Sequence, residues 1–212
     1  MSEAKIREEI CLMGEILTSA GLIHGTTGNI SHLLDDGNVL VTPTGSRLGA
    51  LDPADLAKID RNGTSLDNNV PTKELHLHLA VFENANKKTR AVVHTHSTYS
   101  VAWSVQKELD PEDAMPSVTA YQVMRCGKVK LVPFYPPGDK RLADAVGQRA
   151  AQSRSILMYA HGPVLAGESL AKAVDATEEL EQSAKLLMLL RGGGFHVLTQ
   201  PQIDELNRLF PS

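Results

Sequence analysis

The sequence has little that would attract a nucleic acid or an anionic membrane. Lysine and arginine number 21 against 25 aspartate and glutamate residues, the formal net charge is −4, and no basic tract is present. Binding to nucleic acid or to acidic lipids depends on clustered positive charge. We therefore expect a small-molecule ligand, with no nucleic-acid partner and no membrane partner.

Long hydrophobic runs and cysteines are also scarce. No stretch approaches the roughly 18 apolar residues that a membrane-spanning helix needs, and residues 1–5 lead into an amphipathic pattern instead of an apolar signal core. The only cysteines, Cys11 and Cys126, are far apart in the sequence. These features predict a cytoplasmic protein with two free thiols.

Length and composition suit one compact domain. The chain has 212 residues, 42% of them hydrophobic, and it contains no internal repeat or low-complexity segment. A chain of this size can bury about 70% of the surface that it exposes when unfolded. We therefore expect a single domain over residues 1–212.

The hydrophobic pattern predicts helices and strands that mix without a strict alternation, which favours an α/β fold with an antiparallel-rich sheet and helices on its faces. In the first helix, Ile6, Ile10, Met13, Ile16 and Leu17 recur at helical spacing, and Gly21 is placed to end it. The predicted helices cover about residues 6–20, 72–84, 98–105, 140–152 and 170–191. The predicted strands lie at 30–34, 39–42, around 92–93, and at 129–134, 155–160 and 164–167, with a hairpin turn at 35–38.

Three histidines follow short apolar runs. His94 and His96 end a β-branched run, and residues i and i+2 of a strand point to the same face. His161 ends another such run and is followed by Gly162. Three neutral imidazoles are a common ligand set for a catalytic zinc ion. The spacing alone also allows three ordinary core or surface histidines.

Three loops rich in small residues are suited to wrapping a backbone around an anion. They are Gly25–Ser31, Thr42–Ser46 and Pro71–Glu74. The last opens a helix, whose free N–H groups and dipole favour negative charge. A turn that simply feeds a strand would have the same composition as the first loop.

At the start of the 72–84 helix, Thr72 is the expected N-cap. Glu74 would then lie in the first turn, where an acidic residue also has the ordinary function of stabilising the helix N-terminus. His76 and His78 follow on the same helix, where i and i+2 face different ways. We interpret both histidines as structural, with contact between His78 and the site as the alternative.

Taken in order, these motifs resemble the class II aldolase family of the L-fuculose-phosphate type over nearly the whole chain. The motifs are GTTGNIS (25–31), TPTG (42–45), PTKE (71–74), VVHTHS (92–97), AHGPVLAG (160–167) and ATEELEQSAKL (176–186). Within that family, the segment 123–141 and the lysine in PTKE are most similar to the 3-oxo-tetronate 4-phosphate decarboxylases.

The resemblance implies a three-layer α/β/α sandwich with a central antiparallel-rich sheet, assembled as a homotetramer with active sites at subunit interfaces. It implies Zn²⁺, or another divalent metal, held by His94, His96 and His161. Glu74 matches the family's acid/base, which can also bind the metal, and Tyr121 matches a tyrosine that reaches into a neighbouring subunit's site. The positions that match phosphate-binding residues are Asn29, Thr44, Gly45, Thr72 and Lys73.

The implied reaction is the zinc-dependent decarboxylation of a 3-oxo-tetronate 4-phosphate to dihydroxyacetone phosphate and CO₂ through a metal-stabilised enediolate. Retro-aldol cleavage or dehydration of another sugar phosphate is the alternative, since it shares that intermediate. The third hypothesis is a non-catalytic interaction module on the same fold, as in the adducin head. Such a module need not keep metal ligands, whereas this chain keeps all three histidines. This chain departs from the family at Ala160, where asparagine is usual, and at Lys73, where simple aldolases have serine.

Overall fold

The computed structural model describes residues 1–210 and is built around one mixed seven-stranded sheet. The strands are β1 (Asn29–Leu33), β2 (Val39–Val41), β3 (Ala57–Ile59), β4 (Ala91–His94), β5 (Val129–Val132), β6 (Ser155–Met158) and β7 (Gly162–Gly167). The helices are α1 (Glu3–Ser19), α2 (Leu75–Asn84), α3 (Thr98–Ser104), α4 (Lys140–Ala150), α5 (Leu170–Leu190) and α6 (Gln200–Leu209), and a π-helical turn covers Gln122–Cys126.

The strand order is β3-β2-β1-β4-β7-β6-β5, and only β5 and β6 run parallel. The predicted antiparallel-rich sheet is therefore confirmed. β4 lies between β1 and β7, with Asn29 opposite His94 on one side and Val164 opposite His94 on the other. This register places the end of β4 beside the starts of both neighbouring strands.

Helices cover both faces of the sheet. Val92 of β4 packs with residues of α2 and α4, whereas the next residue, Val93, packs with residues of α1 and α5. This alternation is what a strand buried on both faces requires. The predicted three-layer arrangement is confirmed. His94 follows Val92 by two positions, so it faces the layer formed by α2 and α4.

Several local predictions are confirmed. Gly21, with φ of 75°, follows the end of α1, and the hairpin turn lies between β1 and β2. In α1, however, Ile16 is 37% exposed although its spacing predicted burial. Every residue of the predicted apolar stripe on α5 is buried, namely Leu170, Val174, Thr177, Leu180, Ala184 and Leu187. Both cysteines are free. Among residues 1–210, no helix is long and apolar enough to cross a membrane.

The predicted start of the second helix is wrong. Thr72 is not the N-cap, because α2 begins at Leu75 with Glu74 in the capping position. The backbone N–H of Thr72 instead donates to the carbonyl of Thr42. Pro71 forms a bridge with Pro43. These contacts hold residues 71 and 72 in extended backbone beside the β2 end, which delays the helix. The sequence pattern also missed β3, the π-helical turn and α6.

Candidate metal centre and active site

Three histidine rings meet at the end of β4. The ring centroids of His94 and His96 lie 4.8 Å apart, and that of His161 lies 4.9 Å from His94 and 4.8 Å from His96. His94 is the last residue of β4, and His161 lies in the turn between β6 and β7. The two strands that precede these histidines, β4 and β6, are separated in the sheet by β7, and their ends meet at the start of β7.

Two glycines permit this close approach. A Cβ atom on Gly162 would lie 2.1 Å from the backbone oxygen of Thr95, and one on Gly28 would lie 2.8 Å from that of His94. Gly28 also has φ of 78°. Any larger residue at these positions would push the His94–His96 segment away from its neighbours. The backbone that carries the histidines is therefore packed tightly from two sides.

The histidine cluster has the donor set that a divalent metal needs. Ligand atoms of Glu74, His94, His96 and His161 all lie within 4.8 Å of one another. His94 Nδ1 lies 2.9 Å from the carbonyl oxygen of Pro163 and donates to it, which leaves the lone pair of Nε2 facing the cluster. Within residues 1–210, His94 Nε2, His161 Nε2 and Glu74 Oε1 are buried without a hydrogen-bond partner. Burying such atoms costs about 1–3 kcal/mol each, so the cluster fits a metal ion.

Burial keeps two of these imidazoles, those of His94 and His96, in the neutral form that metal binding requires. It lowers the pKa of His94, and it lowers the pKa of His96 to about 4, with the other rings of the cluster adding to the effect. Neutral rings offer lone pairs at neutral pH without first losing a proton.

Glu74 lies against the cluster on its α2 side. Its Oε1 is 3.1 Å from His161 Nε2, and its Oε2 is 3.4 Å from His94 Nε2. The amide nitrogen of Asn29 donates to Oε2 at 2.9 Å. Burial alone would raise the pKa of the Glu74 carboxyl, but the histidine rings and the Asn29 amide hold that pKa well below its ordinary value. Glu74 is therefore ionised at neutral pH.

The candidate phosphate loops adjoin this carboxylate. Asn29 Nδ2 also donates to Thr72 Oγ1 at 3.2 Å, and the backbone N–H of Glu74 donates to the same oxygen at 3.3 Å. Because Thr72 Oγ1 accepts twice, its own hydrogen is directed elsewhere, and no acceptor within the described residues takes it. Thr44 and Gly45 are exposed on the adjacent loop, where the Thr44 N–H donates to the Val70 carbonyl.

Lys73 is exposed and lies next to the segment that distinguishes the decarboxylases in sequence. A Cβ atom on Gly138 would lie 3.7 Å from the Lys73 carbonyl oxygen. Lys73, Glu74, Gly138 and Asp139 line one cleft between the starts of α2 and α4. No carboxylate within residues 1–210 pairs with Lys73, whereas Asp139 caps α4 and pairs with Arg141 at 2.6 Å. The two sequence features that resemble the decarboxylases thus line the same cleft.

Tyr121 and Ala160 do not belong to the group of possible metal ligands. Tyr121 is 57% exposed and stacks against Arg125, whose guanidinium carbon lies 5.5 Å from the ring centroid. It is not part of the histidine and glutamate cluster. Ala160 has φ of 54°, a left-handed conformation that asparagine adopts more readily than alanine. The backbone N–H of Ala160 donates to Ser104 Oγ at 3.0 Å.

The sequence predicts a structural His78, with contact to the site as the alternative, and places Ser31 in a candidate anion loop. The structure buries both completely and joins them, with Ser31 Oγ 2.7 Å from His78 Nδ1. His78 Nε2 is hydrogen-bonded to Asn29 Oδ1. The available signal was spacing, because His78 follows Glu74 by four positions and Ser31 follows Asn29 by two. Each pair therefore shares a face of its element.

Known proteins resemble this chain over most of its length. The sequence model described as the Class II Aldolase and Adducin N-terminal domain matches residues 8–188. A 3-oxo-tetronate 4-phosphate decarboxylase of Escherichia coli K12 is 45% identical over 204 residues, which is 96% of each chain. An L-fuculose phosphate aldolase of Haemophilus influenzae is 30% identical over 198 residues, covering 93% of this chain and 88% of that one.

A solved structure is similar over the same extent. YgbL from Escherichia coli, described as an aldolase/epimerase/decarboxylase, superposes with a TM-score of 0.93 at 44% identity, covering 96% of this chain and 98% of that one. The similarity thus extends over nearly the whole fold.

Proposed function

Because the chain belongs to the class II aldolase and adducin N-terminal domain family, we propose that it is a metal-dependent lyase that decarboxylates a 3-oxo-tetronate 4-phosphate to dihydroxyacetone phosphate. The observation that carries the choice of reaction is the 45% identity to a decarboxylase over 96% of both chains. The position of Lys73 and the Gly138 loop in one cleft, both of which resemble the decarboxylases, supports the same choice.

His94, His96 and His161 are the proposed metal ligands, and Zn²⁺ is the proposed ion. The buried, unpartnered Nε2 atoms of His94 and His161 support this assignment, as does the preference of zinc for three protein ligands and one open position in catalytic sites. A bound divalent ion would supply positive charge next to the electrons that accumulate when the carbon–carbon bond breaks.

The loops hold the substrate in this proposal. Thr44, Gly45, Thr72 and Lys73 surround the phosphate, to which Thr72 can donate its unused hydroxyl hydrogen. Asn29 already donates both amide hydrogens, so it supports the phosphate loop through Thr72. Binding energy from the phosphate, remote from the bond that breaks, would orient the reacting carbons.

Glu74 is the proposed acid/base. Decarboxylation breaks the bond between the carboxylate carbon and the hydroxyl-bearing carbon, CO₂ leaves, and the electron pair stays on that carbon, which then takes up a proton. Oε2 of Glu74 accepts from Asn29, whereas Oε1 accepts from no amide and faces His161 Nε2 at 3.1 Å, on the side of the proposed metal. The proton would therefore be carried on Oε1.

We propose a cytoplasmic homotetramer in which exposed Tyr121 completes the site of a neighbouring subunit. The exposure of its ring supports a role outside its own chain. A phosphorylated substrate supports the compartment, because its charge makes passage through an apolar membrane costly.

Retro-aldol cleavage of a sugar phosphate is the second candidate, supported by the 30% identity to an L-fuculose phosphate aldolase. The two reactions differ in what leaves, since the same kind of electron-rich carbon forms when an aldehyde departs.

A substrate panel separates the two reactions. Purified protein would be incubated with phosphorylated 3-oxo acids and with phosphorylated ketoses, while CO₂ and aldehyde release are measured in parallel. His161→Ala serves as the inactive control. We expect CO₂ from a 3-oxo-tetronate 4-phosphate. Aldehyde release alone would overturn the decarboxylase assignment and favour the aldolase.

A further inference from the structure

His78 is a buried imidazole that has no place among the metal ligands. It lies one helical turn after Glu74 on α2, and its side chain is completely inaccessible to solvent. Both ring nitrogens have partners, with Ser31 Oγ at Nδ1 and Asn29 Oδ1 at Nε2. Asn29 in turn donates to Glu74 Oε2. A continuous chain of hydrogen bonds therefore leads from Ser31 to the proposed acid/base.

The direction of every hydrogen bond in this chain is determined. The Glu74 carboxylate can only accept, so it is the amide nitrogen of Asn29 that faces it and the amide oxygen that faces His78. That oxygen can only accept, so His78 carries its hydrogen on Nε2. Burial lowers the pKa of His78 to about 3, and the ring is neutral. Nδ1 therefore accepts the hydroxyl hydrogen of Ser31.

We propose that His78, supported by Ser31, is a positioning residue that makes Asn29 present its amide N–H to Glu74; the inference rests on the proposed role of Glu74. An asparagine side chain can rotate by half a turn with little change in shape. In the rotated state its oxygen would face the carboxylate oxygen, and two acceptors would meet. The Nε2–H of His78 disfavours that state, because it would then face the amide nitrogen, which is a donor.

The expected consequence is a defect mainly in turnover. Without the His78 donor, Asn29 samples both orientations and Glu74 loses its fixed position, although His94, His96 and His161 are unaltered. Small displacements of a reacting group can cost about 100-fold in rate. We therefore expect kcat to fall by about 10- to 100-fold, with bound metal unchanged and a smaller rise in KM, because the rotated amide also stops donating to Thr72.

The first test uses substitutions at position 78. His78→Leu removes both hydrogen bonds and should show the full loss of kcat. His78→Gln can still donate near the position of Nε2 and should recover most of it. His76→Gln, on the exposed side of the same helix, is the matched control and should match the wild type. Equal losses in His78→Leu and His78→Gln, or loss of metal in either, would overturn the proposal.

A double substitution tests whether His78 acts through Asn29. In an Asn29→Ala background, His78→Leu should lower kcat no further, because the group that it positions is gone. If the two losses multiplied, His78 would act independently of Asn29 and the proposal would be wrong.

Nitrogen NMR of histidine-labelled, zinc-loaded protein tests the chain without substrate. The signal assigned by its absence in His78→Gln should show a hydrogen on Nε2 and none on Nδ1. A hydrogen on Nδ1, or an equal mixture, would overturn the proposal. Should the wild type release no CO₂ from any 3-oxo acid, the proposed function would fail, and this NMR result would still decide the hydrogen-bond chain.

Discussion

The two sides of the site are built in different ways. On one side, His94 is fully buried in a strand that is paired on both edges, and Gly28 and Gly162 pack against the backbone that follows it. On the other side, Thr44, Gly45 and Lys73 lie on exposed loops. The parts that need fixed geometry are held by the sheet, whereas the parts that meet the substrate's variable groups are in segments that tolerate change.

This difference suggests that the two sides of the site have separate functions. The buried side should determine whether the chemistry occurs, and the exposed side should determine which substrate undergoes it. Substitutions on the buried side should then affect every substrate alike. Substitutions on the exposed side should affect some substrates more than others.

The largest effect is expected for His161→Ala, which should lose both bound metal and activity. Two remaining imidazoles cannot complete a tetrahedral site. Elemental analysis should find about one zinc ion per chain in the wild type and almost none in the variant. His76→Ala is the control, since its ring is exposed. Active protein free of divalent metal would contradict the account.

Glu74→Gln should keep the metal and slow turnover by about 10²- to 10⁴-fold, the usual loss for an acid/base. The amide cannot carry the proton on Oε1, whereas the three histidines suffice to hold the ion. Steady-state kinetics with parallel metal analysis would measure this. If the variant turned over at the wild-type rate, Tyr121 would be the next candidate for the proton donor.

The metal-free protein should lose stability as the pH falls from about 6.5 toward about 4. In the folded state the pKa is about 4 for His96 and about 3 for His78, whereas an unfolded histidine titrates near 6.5. Between these values the unfolded chain binds protons that the folded chain does not. The free energy of unfolding should therefore fall by up to about 1.4 kcal/mol per pH unit for each histidine.

Urea unfolding at several pH values would measure this slope. The His78→Gln variant lacks one of the two groups, and its stability should depend less steeply on pH. A wild-type stability that is constant between about pH 6.5 and about pH 4 would contradict the burial argument.

The proximity of the histidines could be predicted from sequence because it depends on short-range geometry. His94 and His96 follow a β-branched run, and the period of a strand places such residues on one face. The α5 stripe was predictable for the same reason, since helical spacing is local. His161 ends a similar apolar run, and the resemblance added Glu74 as a partner.

The start of α2 and the contact between His78 and Ser31 could not be predicted, because both depend on how segments that are distant in the sequence pack together. Thr72 has the composition of an N-cap, but its pairing with Thr42 across the loops delays α2. The contact between His78 and Ser31 requires α2 to pack on β1. Neither arrangement leaves a periodic signal in the sequence, because the partners lie 30 and 47 positions apart.

The most direct test of these separate functions compares Lys73→Ser, on the exposed side, with Glu74→Gln in two reactions. One is CO₂ release from a 3-oxo-tetronate 4-phosphate. The other is deuterium exchange into dihydroxyacetone phosphate in heavy water, which uses the same proton transfer but has no carboxylate. Glu74→Gln should slow both. If Lys73 contacts the substrate carboxylate, Lys73→Ser should lower kcat/KM only for CO₂ release, by about 1.5–3 kcal/mol, as for one charge-assisted hydrogen bond.

Equal losses in both reactions for Lys73→Ser would mean that Lys73 contacts the phosphate. Unchanged values in both would remove Lys73 from the site. We expect a loss confined to the 3-oxo acid, and either of these other results would contradict the claim that the exposed side selects a substrate with a carboxylate.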